Sequence, residues 1–244
     1  MGMDRRTLTW ALAALCWAPR LAWAAAARRM QLVTSHLPPL VQEKGEPGVL
    51  QEVVGELCKR AGLAPTTQFV PWRRALFLAG SLPATAIYPL TRLPEREQQF
   101  RWLVPLYEEQ FLLLAVKGKL RPLAEMRSQR IALLRGAGQA AILRELGFTR
   151  LVEAASIDEV HRFLLGGMAD AAFGERRIVA ASLKGHAAQE GAFELSEPVR
   201  STTAWLAGSL DFDADDVALF QRALADMNND GSLRRIFTRH GFSN

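Results

Sequence analysis

The sequence predicts an α/β protein built as two lobes, each a mostly parallel sheet flanked by helices. Apolar strand-like runs alternate with amphipathic helical patterns along the chain, as in a parallel sheet covered by helices. Some of the strands, "EQFLLLAV" (109–116) above all, are nearly continuous apolar runs, which marks strands buried on both faces. The alternation also falls into two series, the second opening at "RIALLR" (130–135). That division suggests two lobes rather than one sheet.

The first series opens with a strand at "MQLVTS" (30–35). A helix follows at "VLQEVVGELCKRAG" (49–62), where Leu50, Val53, Val54, Leu57 and Ala61 share a face and Gly62 is placed to end it. "TTQFV" (66–70) reads as a strand, "WRRALFLAG" as a short helix closed by Gly80, and "ATAIY" (84–88) as a strand. The apolar strand 109–116 closes the series. The second series has the strand 130–135, a helix at "AGQAAILRELG" and a helix at "SIDEVHRFLLGG" (156–167). Ser156 is its expected N-cap, with Glu159 three residues on completing a capping box. "DAAFG" (170–174) is a strand, "RRIVAASLKG" a helix, "TTAWLAG" (202–208) a strand, and two helices end the chain.

The first residues read as a targeting segment. Arg5-Arg6 precede an apolar run from Leu8 to Ala18, and Ala22-Trp23-Ala24 offers a small-residue cleavage site. This run of eleven residues is too short to cross a bilayer, which takes about 20. Cleavage after Ala24 and a periplasmic location are therefore expected. The 244-residue chain carries 30 basic and 25 acidic residues. Removing Arg5, Arg6, Arg20 and Asp4 leaves 27 basic and 24 acidic, a net charge of +3. The basic residues are scattered, so nucleic acid is not an expected partner. Two cysteines, Cys16 and Cys58, build no disulfide framework and no zinc site.

Several chemical patterns fail on spacing. The four histidines, at 36, 161, 186 and 240, do not pair at metal-ligand distances along the chain. No G-x-S-x-G elbow occurs. "DMNNDG" (226–231) starts like a calcium loop, but Phe237 stands where a bidentate Glu is needed. "GAGQAA" (136–141) with Glu153 approaches a dinucleotide fingerprint, yet the series around it is short for that fold. Its simpler use is a glycine-rich turn that aims backbone N–H groups at an anion. Neither metal nor cofactor is expected.

Six short motifs in order resemble the bacterial extracellular solute-binding proteins of the amino-acid-binding type (family 3), over roughly residues 30–242. They are "SHLPPL" (35–40), "GVLQEVVGELCKRAGL", "PWRRALFLAG", "LTRLPEREQQFRWLVPLYEE", "GGMADAAFGE" and "NNDGSLRRIFTRHGF". The resemblance implies the type II periplasmic-binding-protein fold, with "EQFLLLAV" and "TTAWLAG" as the two crossover strands of a hinge. It implies a signal peptide over 1–24, one lobe from 28–113 and 206–244, and a second over 114–205. The implied function is capture of a small polar solute, an amino acid or related carboxylate, between the lobes of a monomer that serves an inner-membrane ABC-type permease complex. The implied site takes Arg96 as the clamp on a ligand carboxylate, Thr91 as a hydroxyl in the same loop, the Gly136–Ala137 turn as the second-lobe partner, and Glu175 as the acceptor for an amino group.

Other residues enter on their positions. Trp72 reads as core packing or an aromatic wall, Tyr88 as a strand-end residue of the core or the cleft, and His36 as loop surface or cleft rim. Taken alone, Arg96 is also an exposed neighbour of Glu95 and Glu97, and Glu175 a helix N-terminal acid favoured by the dipole. Ala137 and Gly138 replace hydroxyl residues usual in the family, and Pro89 replaces a small one. An enzyme on the same scaffold, a dehydratase or lyase of a small carboxylate, and a ligand-sensing module are the other function classes. Glu175 or His36 would have to supply the enzyme's acid or base.

Overall fold

A computed structural model describes residues 28–185 and 191–242. The expected targeting segment and cleavage site lie outside the described residues. The first lobe is built on the parallel strands β1 (Arg28–Thr34), β2 (Leu63–Phe69) and β3 (Thr85–Thr91). Helices α1 (Val49–Arg60) and α2 (Trp72–Ser81) connect them. The second lobe holds the parallel strands β5 (Ile131–Leu134), β6 (Leu151–Ala154) and β7 (Ala171–Glu175). Between them run β4 (Arg101–Val116) and β9 (Arg200–Gly208), antiparallel to each other. These are the two expected crossover strands.

The hydrogen bonding is not divided as the two sequence series suggest. One path runs β2-β1-β3-β9-β4-β7-β5-β6, with β8 (Phe193–Leu195) added beside β4. The cause is the length of β4. At 16 residues it extends about 50 Å. Its first part pairs with β9, and the stretch from Phe111 pairs with β7. The cores nevertheless separate for the most part, joining where Leu134 and Ile178 pack into the first-lobe cluster. Leu103, Val104 and Leu106 pack with the first lobe, whereas Phe111, Leu113 and Ala115 pack with β5 and β7 residues such as Ile131 and Phe173.

The remaining elements are α3 (Leu123–Met126), α4 (Gln139–Glu145), α5 (Ile157–Leu165), α6 (Arg176–Gly185), α7 (Ala214–Asn229) and α8 (Ser232–Arg239). Helix α1 buries Leu50, Val53, Val54 and Leu57 as its periodicity predicts, and Gly62 takes the left-handed conformation that ends it (φ +69°). Its start shows no Ser, Thr or Asp cap. Gln51 supplies one instead, its Oε1 accepting from the Gly48 N–H at 2.7 Å and the Gln42 N–H at 2.6 Å. Glycine is required at position 48 by packing: a Cβ there would lie 2.4 Å from the Leu40 carbonyl oxygen. Gly48→Ala should therefore destabilise the fold by roughly 2 kcal/mol in urea denaturation. Wild-type stability would show that this backbone approach yields.

Some boundaries differ from expectation. Strand β3 begins at Thr85, because Ala84 turns with φ +49°, and it runs on to Thr91 rather than ending at Tyr88. Helix α2 passes Gly80 to Ser81. At α5, Ser156 Oγ accepts from the Glu159 N–H at 3.2 Å as predicted, but Glu159 Oε2 reaches one residue further back, accepting from the Ala155 N–H at 2.6 Å. The "DMNNDG" stretch ends α7: Asp230 caps α8 through the Ser232 N–H and pairs with Arg60 at 2.8 Å. Asp170 likewise has a structural task, holding Arg130 through both carboxylate oxygens.

Candidate functional site

The lobes meet where strand ends and helix starts converge. The Gly136 turn, after β5, packs on Arg73 and Leu76 of α2, 3.4–3.6 Å from where its Cβ would be. Gly136 has φ +76°, so a side chain would be strained there as well as crowded. Behind this contact lies an interlobe cavity of about 60 Å³. Its walls include Leu37, Trp72, Pro89 and Thr91 from the first lobe, Tyr107, Glu109 and Phe111 from β4, and Ala137, Gln139, His161 and Glu175 from the second.

The cavity is mostly apolar, yet several polar atoms are buried in its wall without a hydrogen-bond partner. They are Trp72 Nε1, Tyr107 Oη, Glu109 Oε2, Gln139 Oε1 and Glu175 Oε1. Buried polar groups in folded proteins are nearly always paired. Five such atoms around one cavity leave donors and acceptors that a bound molecule or water would meet.

The electrostatics are unusual for two acids so close to the centre of a protein. Glu109 is 4% exposed. Burial pushes its pKa up to about 8, against a hydrogen bond from Thr91; nearby Glu175 adds to the rise and Arg96 opposes it. Glu175 is 2% exposed and is also raised, chiefly by burial. The rise is restrained because its Oε2 accepts from the Ile178 N–H at 3.0 Å and the Arg177 N–H at 2.8 Å, and the Arg177 guanidinium stands 3.7 Å from Oε1. Glu175 thus fills both roles open in the sequence: one oxygen caps α6 and the other faces the cavity. The Tyr107 phenol is raised by burial and by both carboxyls.

The other expected residues divide. Trp72, Thr91, Ala137 and Glu175 line the cavity. Arg96 is buried at 8% exposure but stands outside the lining. Its Nη1 donates to the Thr91 carbonyl and its Nη2 to the Gly136 carbonyl, both at 3.1 Å. It ties one lobe to the other, and burial lowers its pKa. Gly136 lines an outer recess with Arg96. Tyr88 sits in the first core at 1% exposure, and its carbonyl accepts from the Thr34 hydroxyl. His36 is exposed on the wall of a neighbouring recess, its Nδ1 accepting from the Glu43 N–H. Arg92 grips Glu97 through two bonds and lies 4.8 Å from the centre of the Trp205 ring, a surface role.

Tyr107, Glu109, Gln139 and His161 were not expected at the site. Glu109 had a signal: it is an acid just before the apolar stretch 111–115 of a buried strand. Gln139 is the polar residue at the start of α4. His161 hides on the apolar face of α5, among Ile157, Val160 and Leu164, and bonds Ser182 at 2.9 Å.

No family model and no curated protein matches this chain. Solved structures match over nearly all of it. An ancestral arginine-binding protein bound to arginine superposes with TM-score 0.77 and 15% identity, over 88% of this chain and 98% of that one. A histidine kinase sensor domain with similarity to periplasmic binding proteins gives TM-score 0.78 and 17% identity over 88% and 96%. The GluR0 ligand-binding core from Nostoc punctiforme, in complex with glutamate, gives 0.75 and 15% over 86% and 98%. The chain has the type II periplasmic-binding-protein fold.

Proposed function

We propose that the protein is a periplasmic solute-binding protein of the amino-acid-type family, a monomer that captures a small polar solute between its lobes and delivers it to an inner-membrane permease complex of the ABC type. The observation that carries this reading is the interlobe cavity with its ring of buried, unpartnered polar atoms. The neighbours on this fold are binding proteins and a sensor domain rather than enzymes. The export signal read from residues 1–24 supports a periplasmic site of action. The proposed lobes are 28–113 with 206–244, and 114–205. In this reading Thr91, Trp72, Ala137 and Glu175 touch the solute, and Arg96 and Gly136 hold the lobes together beside it.

Entry requires motion. The solute-facing atoms are buried, and the walls belong to different lobes, so the lobes must part to admit a molecule and close on it. The test is a thermal-shift screen of amino acids, amines and small organic acids, followed by small-angle scattering. The binding solute should raise the melting temperature and make the particle more compact. Identical scattering curves with and without it would count against hinge closure.

A further inference from the structure

We infer that the solute is a small organic amine cation, held between Glu109 and Glu175, and that recognition needs no carboxylate on the solute. This rests on the solute-binding reading above and adds the charge type of the ligand.

The cavity supplies acceptors where a ligand would need to donate. Glu109 Oε2, Glu175 Oε1 and Gln139 Oε1 are buried and accept no hydrogen bond, on residues 4%, 2% and 8% exposed. A protonated amine has two or three N–H donors and one positive charge, which matches two carboxyls and an amide oxygen. Among the described residues lining the cavity there is no lysine and no arginine. Arg96 is outside it with two N–H groups on backbone carbonyls. Arg177 lies outside the lining too: it donates to the Glu108 carbonyl, lies over the Tyr107 and Phe242 rings, and stands 3.7 Å from Glu175 Oε1, where it offsets part of that one acid's charge and none of Glu109's. A solute carboxylate would meet two acids and no cation in the cavity lining, since Arg177 is already engaged with Glu175, so its desolvation would find little to offset it. The neutral donors Trp72 Nε1 and Tyr107 Oη suit a neutral oxygen, such as a hydroxyl or carbonyl, at the solute's other end.

The rest of the wall fits the body of such a molecule. Apolar and aromatic groups, including Trp72 and Phe111, surround the acids, and an aromatic face attracts a desolvated cation. At 60 Å³ the cavity holds about four to six water-sized groups, the size of a short amine or amino alcohol. A metal ion fits poorly: no group of three or more His, Cys, Asp or Glu stands together among the described residues.

The test is calorimetry at pH 7 on the mature chain with three probe sets: short aliphatic diamines and amino alcohols, α-amino acids, and small dicarboxylates. Amines or amino alcohols should bind. Glu109→Gln and Glu175→Gln should each weaken that binding at least tenfold, while Glu108→Gln, on an exposed side chain of the same strand, should not. Binding should also release protons to the buffer near pH 7, seen as a dependence of the heat on buffer ionisation enthalpy, because the cation favours ionised Glu109. Binding by carboxylate probes with none by amines overturns the inference and leaves the solute-binding reading standing. So does amine binding that Glu109→Gln leaves at wild-type strength. No binding in any set overturns both.

Discussion

Replacing Glu109 by Gln should make the solute-free protein more stable at pH 8 by several kcal/mol and leave it nearly unchanged at pH 4.5. In the unfolded chain this carboxyl titrates at its ordinary value of 4.5; in the folded cavity it titrates at about 8. Between those values the folded state binds the extra proton. Stability therefore falls as pH rises from 4.5 to 8 and is level above. The shift corresponds to an upper figure of roughly 5 kcal/mol, and to about 3 kcal/mol at pH 7. The charged groups around Glu109 set this balance: Glu175 raises it, Arg96 and the Thr91 hydroxyl oppose it, and the Tyr107 phenol is neutral throughout. His161 faces the same cavity and is present in both proteins. Gln keeps the shape and removes the charge, so urea denaturation from pH 4.5 to 8.5 should give a shallower slope for the variant. Equal slopes would mean that Glu109 is solvated in the empty protein. An acid that destabilises the empty fold and remains there is the usual signature of a site whose partner is a ligand.

The order of strands and helices was legible in the sequence because burial and period dictate it. "EQFLLLAV" is apolar on successive residues because β4 is covered on both faces, and α1 shows its buried stripe at helical spacing. The ends of the elements were less legible. They depend on single residues such as Ala84, whose positive φ ends one turn and starts β3, and on Gln51, which caps from inside its helix. The site was legible in half. Trp72, Thr91 and Glu175 stand at strand ends and helix starts, positions that a sequence marks. Tyr107 and Glu109 lie inside a strand, and only the path of β4 between the lobes brings them to the cavity. Arg96 shows the same limit from the other side. Its sequence neighbours Glu95 and Glu97 suggest an exposed charge and the family resemblance a carboxylate clamp, whereas the structure buries the guanidinium against the second lobe. Whether that guanidinium meets a ligand or a backbone carbonyl depends on the depth of the Gly136 turn.

Arg96→Ala should loosen the junction between the lobes and weaken binding of every solute that binds, by similar factors. The guanidinium donates to the Thr91 and Gly136 carbonyls, one on each lobe, from a site with 8% exposure. A hydrogen bond from a charged group contributes roughly 1.5–3 kcal/mol, and truncation also leaves each carbonyl short of a donor. The bond to Gly136 exists only when the lobes touch, so most of its loss falls on the closed state. A loss of about 3 kcal/mol there lowers apparent affinity about a hundredfold if closure is required for binding, without any contact between Arg96 and the solute. Scattering should show an expanded solute-free particle. Arg96→Lys should rescue little, since one ammonium does not reproduce a fork spanning two carbonyls. The comparison between solutes separates this role from a carboxylate clamp. If Arg96 gripped a carboxylate, amino acids would lose far more affinity than amines, and the empty protein would keep its shape. Equal losses together with an expanded empty protein would assign Arg96 to the hinge, and leave Glu109 and Glu175 as the charged groups that choose the solute.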